Sequence, residues 1–527
     1  SVEVVSNPGA RYDASVKAVI RIFTKKVAGE GFGFDNRSLV RHYDEYGWSA
    51  YDQLNLNYRK NGFDLSAMLL AGSYHNGNDQ TFVIDTHLDK QWRQYLDLTD
   101  HKAKSKNIET TLTLNYQFNE KHSIGARYNY ERVPEYLWIA NQFARTYCED
   151  QLYEDLHGVN TMDEPETHHR TNFYYNGKVK NWSIDFNADG LWSDTKNTQV
   201  TKENVMEGVN EAEDRNVTTI DTKKNELYAT KLVLSHPFVK GNLSFGAEYS
   251  HNKRNTTYLN PEGIITDDEA MIKEGATSAF VEYAKAFNQL QVQAGLRYEH
   301  VGFDYYNAGK LVDEQSKDYS NLFPSIMLSF PIKDVQVQLG YASDISRPSY
   351  HQLRSNTFYV NRYMYDKGNP FLMPSITHNV TLGASYKWMN LYVGYSHVKD
   401  EITNHTIEYS KDDPTIGLLT LLNSPAYDKL VAAINISPTI GCWTPQLGLA
   451  IQKQWYEGET PQGKEQFDSP IGSVTFRNNF KLPKGFLLDV NGSWTTKGYQ
   501  NNIYLADDMF DLNASLYKSF LKDKLML

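Results

Sequence analysis

Apolar and polar residues alternate with a period of two through most of this 527-residue chain, and that alternation limits what it can become. Leu112, Leu114, Tyr116 and Phe118 are interleaved with Thr111, Thr113, Asn115 and Gln117. Leu290, Val292, Ala294, Leu296 and Tyr298 are interleaved with Gln291, Gln293, Gly295, Arg297 and Glu299. Val335, Val337, Leu339 and Tyr341 follow the same rule, and similar runs start at Trp182, Leu243, Val380, Leu391, Leu488 and Phe510. Successive strand side chains point to opposite faces, so each run has one greasy face and one wet face.

The connections separate a barrel from a stack of sandwiches, because short and long ones alternate. The short ones are Asn61-Gly62, Asn119-Glu120-Lys121, Lys180-Asn181, Phe287-Asn288-Gln289, Pro331 to Asp334, Met389-Asn390 and Pro483-Lys484-Gly485. Long polar stretches lie between them, at 133–169, 195–222, 256–275, 346–375 and 400–425. Outer-membrane barrels have short periplasmic turns and long extracellular loops. Within the long stretches two local helices are expected. One follows the capping-box spacing of Thr266-Asp267-Asp268-Glu269 and stops at Gly275; the other uses Ile139, Phe143 and Tyr147 at helical spacing.

Composition agrees with a barrel. Aromatics make up 13% of residues, with 37 Tyr and 9 Trp, yet the mean hydropathy is −0.58. A wall with lipid on one side and a polar lumen on the other combines those two properties. No apolar run nears the ~18 residues of a membrane helix; the longest, Ile416 to Leu422, is far shorter. The net charge of −11 argues against nucleic acid as a partner. Cys148 and Cys442, the only cysteines, build neither a zinc set nor a disulfide framework. Hairpin counting puts them on opposite sides of the membrane, so they are expected not to pair. No signal peptide opens the chain, so its start is expected to be internal to a longer precursor.

The opening reads Val4-Val5-Ser6-Asn7-Pro8-Gly9-Ala10-Arg11-Tyr12-Asp13, then Val19-Ile20-Arg21-Ile22-Phe23-Thr24-Lys25-Lys26. It resembles the end of the plug domain of a TonB-dependent outer-membrane receptor, where plug strands run into the barrel. Further stretches strengthen the resemblance: Leu322-Phe323-Pro324-Ser325, Ser346-Arg347-Pro348-Ser349-Tyr350, and Lys367-Gly368-Asn369-Pro370-Phe371 through Asn379. In that order they resemble the Bacteroidota branch of these receptors, the outer-membrane β-barrel family.

The expected fold is therefore all-β: a transmembrane antiparallel up-and-down β-barrel, about 22 strands in the full protein, with a remnant of the plug. Residues 1–27 are expected to be the plug's end and 28–527 the barrel. About twenty strands fall before Phe520, another starts at Lys524, and the last strands are expected to be missing. The resemblance implies a place in the cell outer membrane, among its lipid and lipopolysaccharide. It implies energised uptake of a bulky, scarce ligand (glycan, metal chelate, cofactor or peptide), driven by TonB with ExbB–ExbD. A surface lipoprotein is a further partner it allows. The rival readings are a passive pore or surface adhesin, and an outer-membrane barrel enzyme.

Candidate site residues follow from chemistry and position. Arg11 is the expected latch between plug and barrel wall, because a buried charge must be matched. Aromatic clusters at Trp138, Phe143, Tyr147 and Tyr153, and at Phe358, Tyr359, Tyr363 and Tyr365, are placed on the outer side. Such rings stack on sugars and pack against chelates; Trp138, Tyr147, Tyr359, Tyr363 and Tyr365 are the expected ligand contacts. His157, His168 and His169 read as polar loop and strand residues rather than metal ligands. Asp267, Asp268, Glu269 and Asp412-Asp413 lack the ordered spacing of a calcium loop. No nucleophile elbow, His-Glu-x-x-His motif or Walker loop occurs, so neither catalysis, metal nor cofactor is expected.

Overall fold

The computed structural model describes residues 2–5, 9–22, 29–87, 90–208, 213–411, 413–460, 463–520 and 525–526. Strands dominate it, and among the described residues the only helical pieces are the 3₁₀ turns Asp313–Gln315 and Pro483–Gly485. One sheet of 24 strand segments carries the architecture. Four of these segments extend or fringe others: Gln80–His87, Gln151–Asp163, Lys310–Leu311 and Leu525–Met526. The remaining twenty form one antiparallel meander from Gly31–Tyr43 to Met509–Phe520, each strand pairing with the next in the chain.

This is the expected up-and-down barrel, and its burial is inverted relative to a water-soluble domain. Leu112, Leu114, Tyr116 and Phe118 are all exposed, on the outer face. Polar side chains such as Thr111, Asn252, Ser278, Arg297 and Glu299 are buried, on the inner face. At one end the turns are tight. Asn61 and Gly62 both have positive φ (50° and 80°), as a two-residue hairpin turn requires. Lys180, Asn288 and Lys333 take the same region at equivalent turns. The expected turn at Met389-Asn390 sits two residues earlier. Tyr386 and Met389 already pair, and Lys387 takes the positive φ.

The opposite end corrects the sequence reading. Residues 133–169 and the described residues of 195–222 are mostly strand, not loop. Strands His122–Cys148 and Gln151–Asp163 form a hairpin turning at Glu149-Asp150, and Trp182–Gly208 pairs with Arg215–Phe238 over 21 positions. Ile139, Phe143 and Tyr147 lie in strand, and the helix expected after Thr266 is replaced by strand Asp268–Phe287, paired on both sides. The Asp267 carboxylate instead accepts the Asn260 backbone N–H at 2.7 Å, closing a loop. Cys148 lies at this extended end and Cys442 at the tight-turn end.

Two excursions at the extended end fold together into a cap. Thr357–Asn361 and Met364–Lys367 form a hairpin, and Ile402–Ser410 with Asp413–Asn423 form another. Met364–Asp366 pairs in parallel with Gly417–Leu419, giving a four-stranded sheet. The apolar run Ile416 to Leu422 is a strand of this cap. At the chain's start, Val2–Val5 pairs with Val19–Ile22 in a sheet separate from the barrel. The Asn7-Pro8 part of the opening motif, the Thr24-Lys25-Lys26 exit, Asp412 and Lys524 lie outside the described residues.

Candidate functional site

Residues 9–17 run along the inner wall, and their contacts are built from charge and close backbone approach. Gly9 turns with φ 82°, and a Cβ there would overlap the Glu282 carboxylate. Ala10 sits so close to Gly295 that a Cβ on that glycine would come within 2.6 Å of the Ala10 methyl. The Ala14 N–H donates to Glu299 Oε1 at 3.3 Å, and Ile345 N–H donates to the Ala14 carbonyl at 3.1 Å.

The charges converge on Asp13. Its carboxylate lies 3.4 Å from Arg347 Nη1 and 3.6 Å from Arg297 Nη2. Arg297 is almost fully buried, at 2% exposure, and also contacts Glu299, Glu248 at 3.3 Å and the Ser278 hydroxyl at 2.7 Å. Arg347 contacts Glu299 as well. Burial pushes the Asp13 carboxyl up, but hydrogen bonds from Ser15 and the two arginines outweigh it and hold the group below its ordinary value. Arg11 Nη2 lies 3.7 Å from Asp185 Oδ2 on the inner wall, in a half-exposed pair. Lys17 reaches Asp344 at 3.4 Å. A cavity of about 200 Å³ remains beside this segment, lined by Asp13, Lys17, Asp344, Asn379 and Tyr392.

Sequence reasoning missed Asp13, Arg297, Glu299 and Arg347 as a set. The available signal was the polar face of strand Leu290–Asn307. Its earlier positions are Gln and Gly, and it then carries Arg297 and Glu299 two residues apart.

At the other end, the tip of the cap hairpin is pinned into the wall. The Arg362 side chain is 5% exposed; its Nε donates to Glu203 Oε2 at 3.1 Å and its Nη1 to Glu154 Oε1 at 3.2 Å. The Tyr359 hydroxyl donates to Glu203 at 2.8 Å and the Tyr363 hydroxyl to Glu154. The Asn361 amide donates to Gln94 at 3.1 Å. Behind the tip, Tyr359, Tyr365, Ile416 and Leu418 pack with Val217, Tyr258 and Ile265 of the wall.

The expected ligand-contact residues therefore separate. Tyr359, Tyr363 and Tyr365 come together in the cap, with Tyr359 and Tyr365 each 5% exposed. Trp138 is half-buried on the extended hairpin, edge-on to His101 at 5.0 Å. Tyr147 lies near the hairpin tip against Tyr95 at 5.8 Å, beside Arg93 and Arg145. His169 meets the Tyr128 hydroxyl at 2.8 Å, and His168 lies 3.1 Å from Glu166.

A narrow cavity of about 20 Å³, lined by Arg254, Tyr258, Tyr305, Tyr350, His351 and Arg354, lies under the cap and has room for one water-sized occupant. Burial, with Arg354, Lys223 and Arg254 nearby, pushes the His351 imidazole down to about 4, so it is neutral at pH 7.

The model of the outer membrane protein beta-barrel family matches residues 175–527. The chain belongs to that family. Among solved structures this barrel is similar to the siderophore receptor PirA from Pseudomonas aeruginosa, at 14% identity and TM-score 0.60, over 98% of this chain and 80% of that one. It is similar to a mutant of the ferric enterobactin receptor PfeA from Pseudomonas aeruginosa, at 14% identity and TM-score 0.59, over 98% and 76%. The siderophore receptor PiuA from Acinetobacter baumannii gives 11% identity and TM-score 0.60, over 98% and 79%. At these identities the likeness establishes the fold. No curated protein matches the sequence. As a member of this family the barrel lies in the outer membrane, and its exposed apolar face is the one that meets lipid.

Proposed function

We propose that this barrel takes up a bulky, scarce ligand across the outer membrane, using force transmitted by TonB from ExbB–ExbD. Residues 1–27 are read as the end of a plug and 28–527 as the barrel around it, of the Bacteroidota kind. The observation that carries the reading is the segment at 9–17, lodged against the inner wall by Asp13, Arg297 and Arg347. A passive pore gains nothing from a charged segment inside its lumen. A transporter that must stay shut until pulled needs one held by bonds that a modest force can break. Arg11 on Asp185 is a second such bond, and the latch is assigned to both.

The cap is read as the outer gate. Trp138, Tyr147 and Tyr363 are its candidate ligand contacts, and Tyr359 and Tyr365 shape it from within. Aromatic rings beside Arg93 and Arg145 suit a metal chelate or a glycan. The solved neighbours named as siderophore receptors put chelates first in the test. Cells carrying the full-length protein would be offered labelled ferric chelates, oligosaccharides and peptides, with and without a protonophore. Uptake of one class that stops when the proton gradient collapses is expected. Uptake that survives the collapse would replace this reading with a passive pore.

A further inference from the structure

Two charges of opposite sign on the inner segment sit in two wall sites of opposite sign, and both sites border one cavity. Asp13 faces an arginine pair. Its Oδ1 lies 3.4 Å from Arg347 Nη1 and its Oδ2 lies 3.6 Å from Arg297 Nη2, so each oxygen meets a different guanidinium. Lys17 reaches Asp344 at 3.4 Å, and the Asn379 amide donates to the same carboxylate at 2.7 Å. Asp13, Lys17, Arg297 and Asp344 all line the cavity of about 200 Å³.

The wall is matched to these charges and is unbalanced without them. Arg297, Arg347 and Lys231 are joined by ion pairs to Asp13, Glu248 and Glu299, three cations with three carboxylates. Withdrawing residues 9–17 takes one carboxylate from that set and leaves a cation in excess, while Asp344 loses its lysine. Glu274, the next carboxylate toward the extended end, is engaged elsewhere: it accepts from the Tyr350 hydroxyl at 3.1 Å. Arg297 also has a nitrogen to spare, since its Nη1 is buried and has no hydrogen-bond partner among the described residues. Buried charges must be matched, so the freed wall calls for an anionic and a cationic group together. An arginine pair suits the two oxygens of a carboxylate, and a lone aspartate suits an ammonium group.

We infer that the wall sites held by Asp13 and Lys17 become, when the segment withdraws, a transit site for a ligand that carries both a carboxylate and an ammonium group, as a peptide does. A neutral glycan offers neither charge, and an anionic chelate offers only one. The inference rests on the uptake reading for the withdrawal of the segment, and it narrows the ligand to one chemical class.

Triglycine, its N-acetyl form and its amide are probes of similar size that carry both charges, the anion alone and the cation alone. Hydrogen exchange of the purified full-length protein, at neutral pH and constant ionic strength, reads their competition with the segment. Saturating triglycine is expected to raise exchange at 9–17 about fivefold. Each blocked form is expected to need about tenfold more for half its effect. The cap hairpin 357–367, whose Arg362 faces carboxylates of the wall, should not respond. Asp344→Asn should remove the advantage of triglycine over its N-acetyl form and keep its advantage over the amide. Equal potency of the three probes, a matching rise at the cap, or an advantage over the N-acetyl form that survives Asp344→Asn would overturn the inference. The comparison of probes on the native protein decides even if the variant fails to fold. Energised uptake of a chelate with no response to triglycine would sink the peptide site and leave the uptake reading intact; a response to triglycine without energised uptake would do the reverse.

Discussion

The cap and the inner segment are both pinned by arginine–carboxylate contacts, yet they are supported differently. At the cap, one arginine enters from the cap hairpin and two carboxylates wait in the wall: Arg362 between Glu154 and Glu203. At the inner segment the roles are reversed, with Asp13 entering between Arg297 and Arg347. Behind Arg362 lies a broad apolar contact in which Tyr359, Tyr365, Ile416 and Leu418 are buried against the wall, with Leu353, Leu372 and Tyr305 in a second cluster. Behind Asp13 the segment's fully buried apolar side chains are only two methyl groups, Ala10 against Val233 and Phe280, and Ala14 against Phe323 and Ile345, with Tyr12 and Val16 half-buried beside them. Buried apolar area stabilises at roughly 25 cal/mol per Å², so the cap is anchored by its core and the segment by its charges. A contact meant to hold and a contact meant to let go would differ in just this way.

Removing the arginine from the cap should have the largest effect. Arg362→Ala removes the guanidinium between buried Glu154 and Glu203 and leaves them only their tyrosine hydroxyls and the more distant Arg215, which costs up to about 3–5 kcal/mol. Hydrogen exchange of the cap hairpin 357–367 should rise steeply while the barrel strands stay protected. If protection there is unchanged, the apolar clusters alone hold the cap, and the ion pair belongs to specificity rather than stability.

A smaller effect is expected where the inner segment touches bare backbone. Gly295→Ala places a methyl 2.6 Å from that of Ala10, and overpacking of this kind costs about 1–3 kcal/mol. The segment has little apolar area to lose, so it should lift away rather than distort the wall, exposing 9–17 to protease in the purified protein. Adding Ala10→Gly should restore protection, since it removes the opposing methyl. Failure of that rescue would mean the segment is held by Asp13 and its neighbours regardless of the close approach.

The barrel was legible because lipid and lumen impose the period of two directly on the residues. The strands read from Leu112, Leu290 and Val335 are all present, and most of the tight turns fall at the positions their Asn, Gly and Lys residues suggested. The extended hairpins were misread for a physical reason. Beyond the membrane the outward face no longer meets lipid, so it can carry Asn141, Arg145 and Asp155, and the segment looks like polar loop. The helix expected from Ile139, Phe143 and Tyr147 rested on a spacing of four. Four is also a multiple of two, and all three residues lie on one face of a strand. The sites were less legible. Arg11 could be singled out, but its partner Asp185 could not, and Arg362 meets Glu154 and Glu203 across 208 and 159 residues of chain. Only the folded meander brings those groups together.

Acid should separate the two regions by the smallest and most diagnostic margin. The Asp13 carboxyl is held below its ordinary value of 3.8 when the segment is docked, mainly by Ser15 and Arg347 against the upward push of burial. The docked state therefore binds the proton more weakly than the free chain. The contribution of Asp13 to docking is complete above 3.8 and fades as pH falls below it. Asp366, in the cap beside Arg354 at 2.7 Å, behaves oppositely, because burial raises its carboxyl above 3.8 despite that arginine. Its docked state binds the proton more tightly, so its contribution to the cap grows as pH falls through the raised value. Both carboxylates are about a third exposed, and solvent screening keeps each effect below about 1 kcal/mol. Hydrogen exchange corrected for intrinsic rates, compared at pH 7 and about pH 3, should show protection falling at 9–17 with none lost at 357–367 on account of Asp366. Parallel loss in both regions would mean that the cap depends on its Arg362 contacts with Glu154 and Glu203 as the segment depends on Asp13, and the contrast between a charge-held segment and a core-held cap would no longer stand.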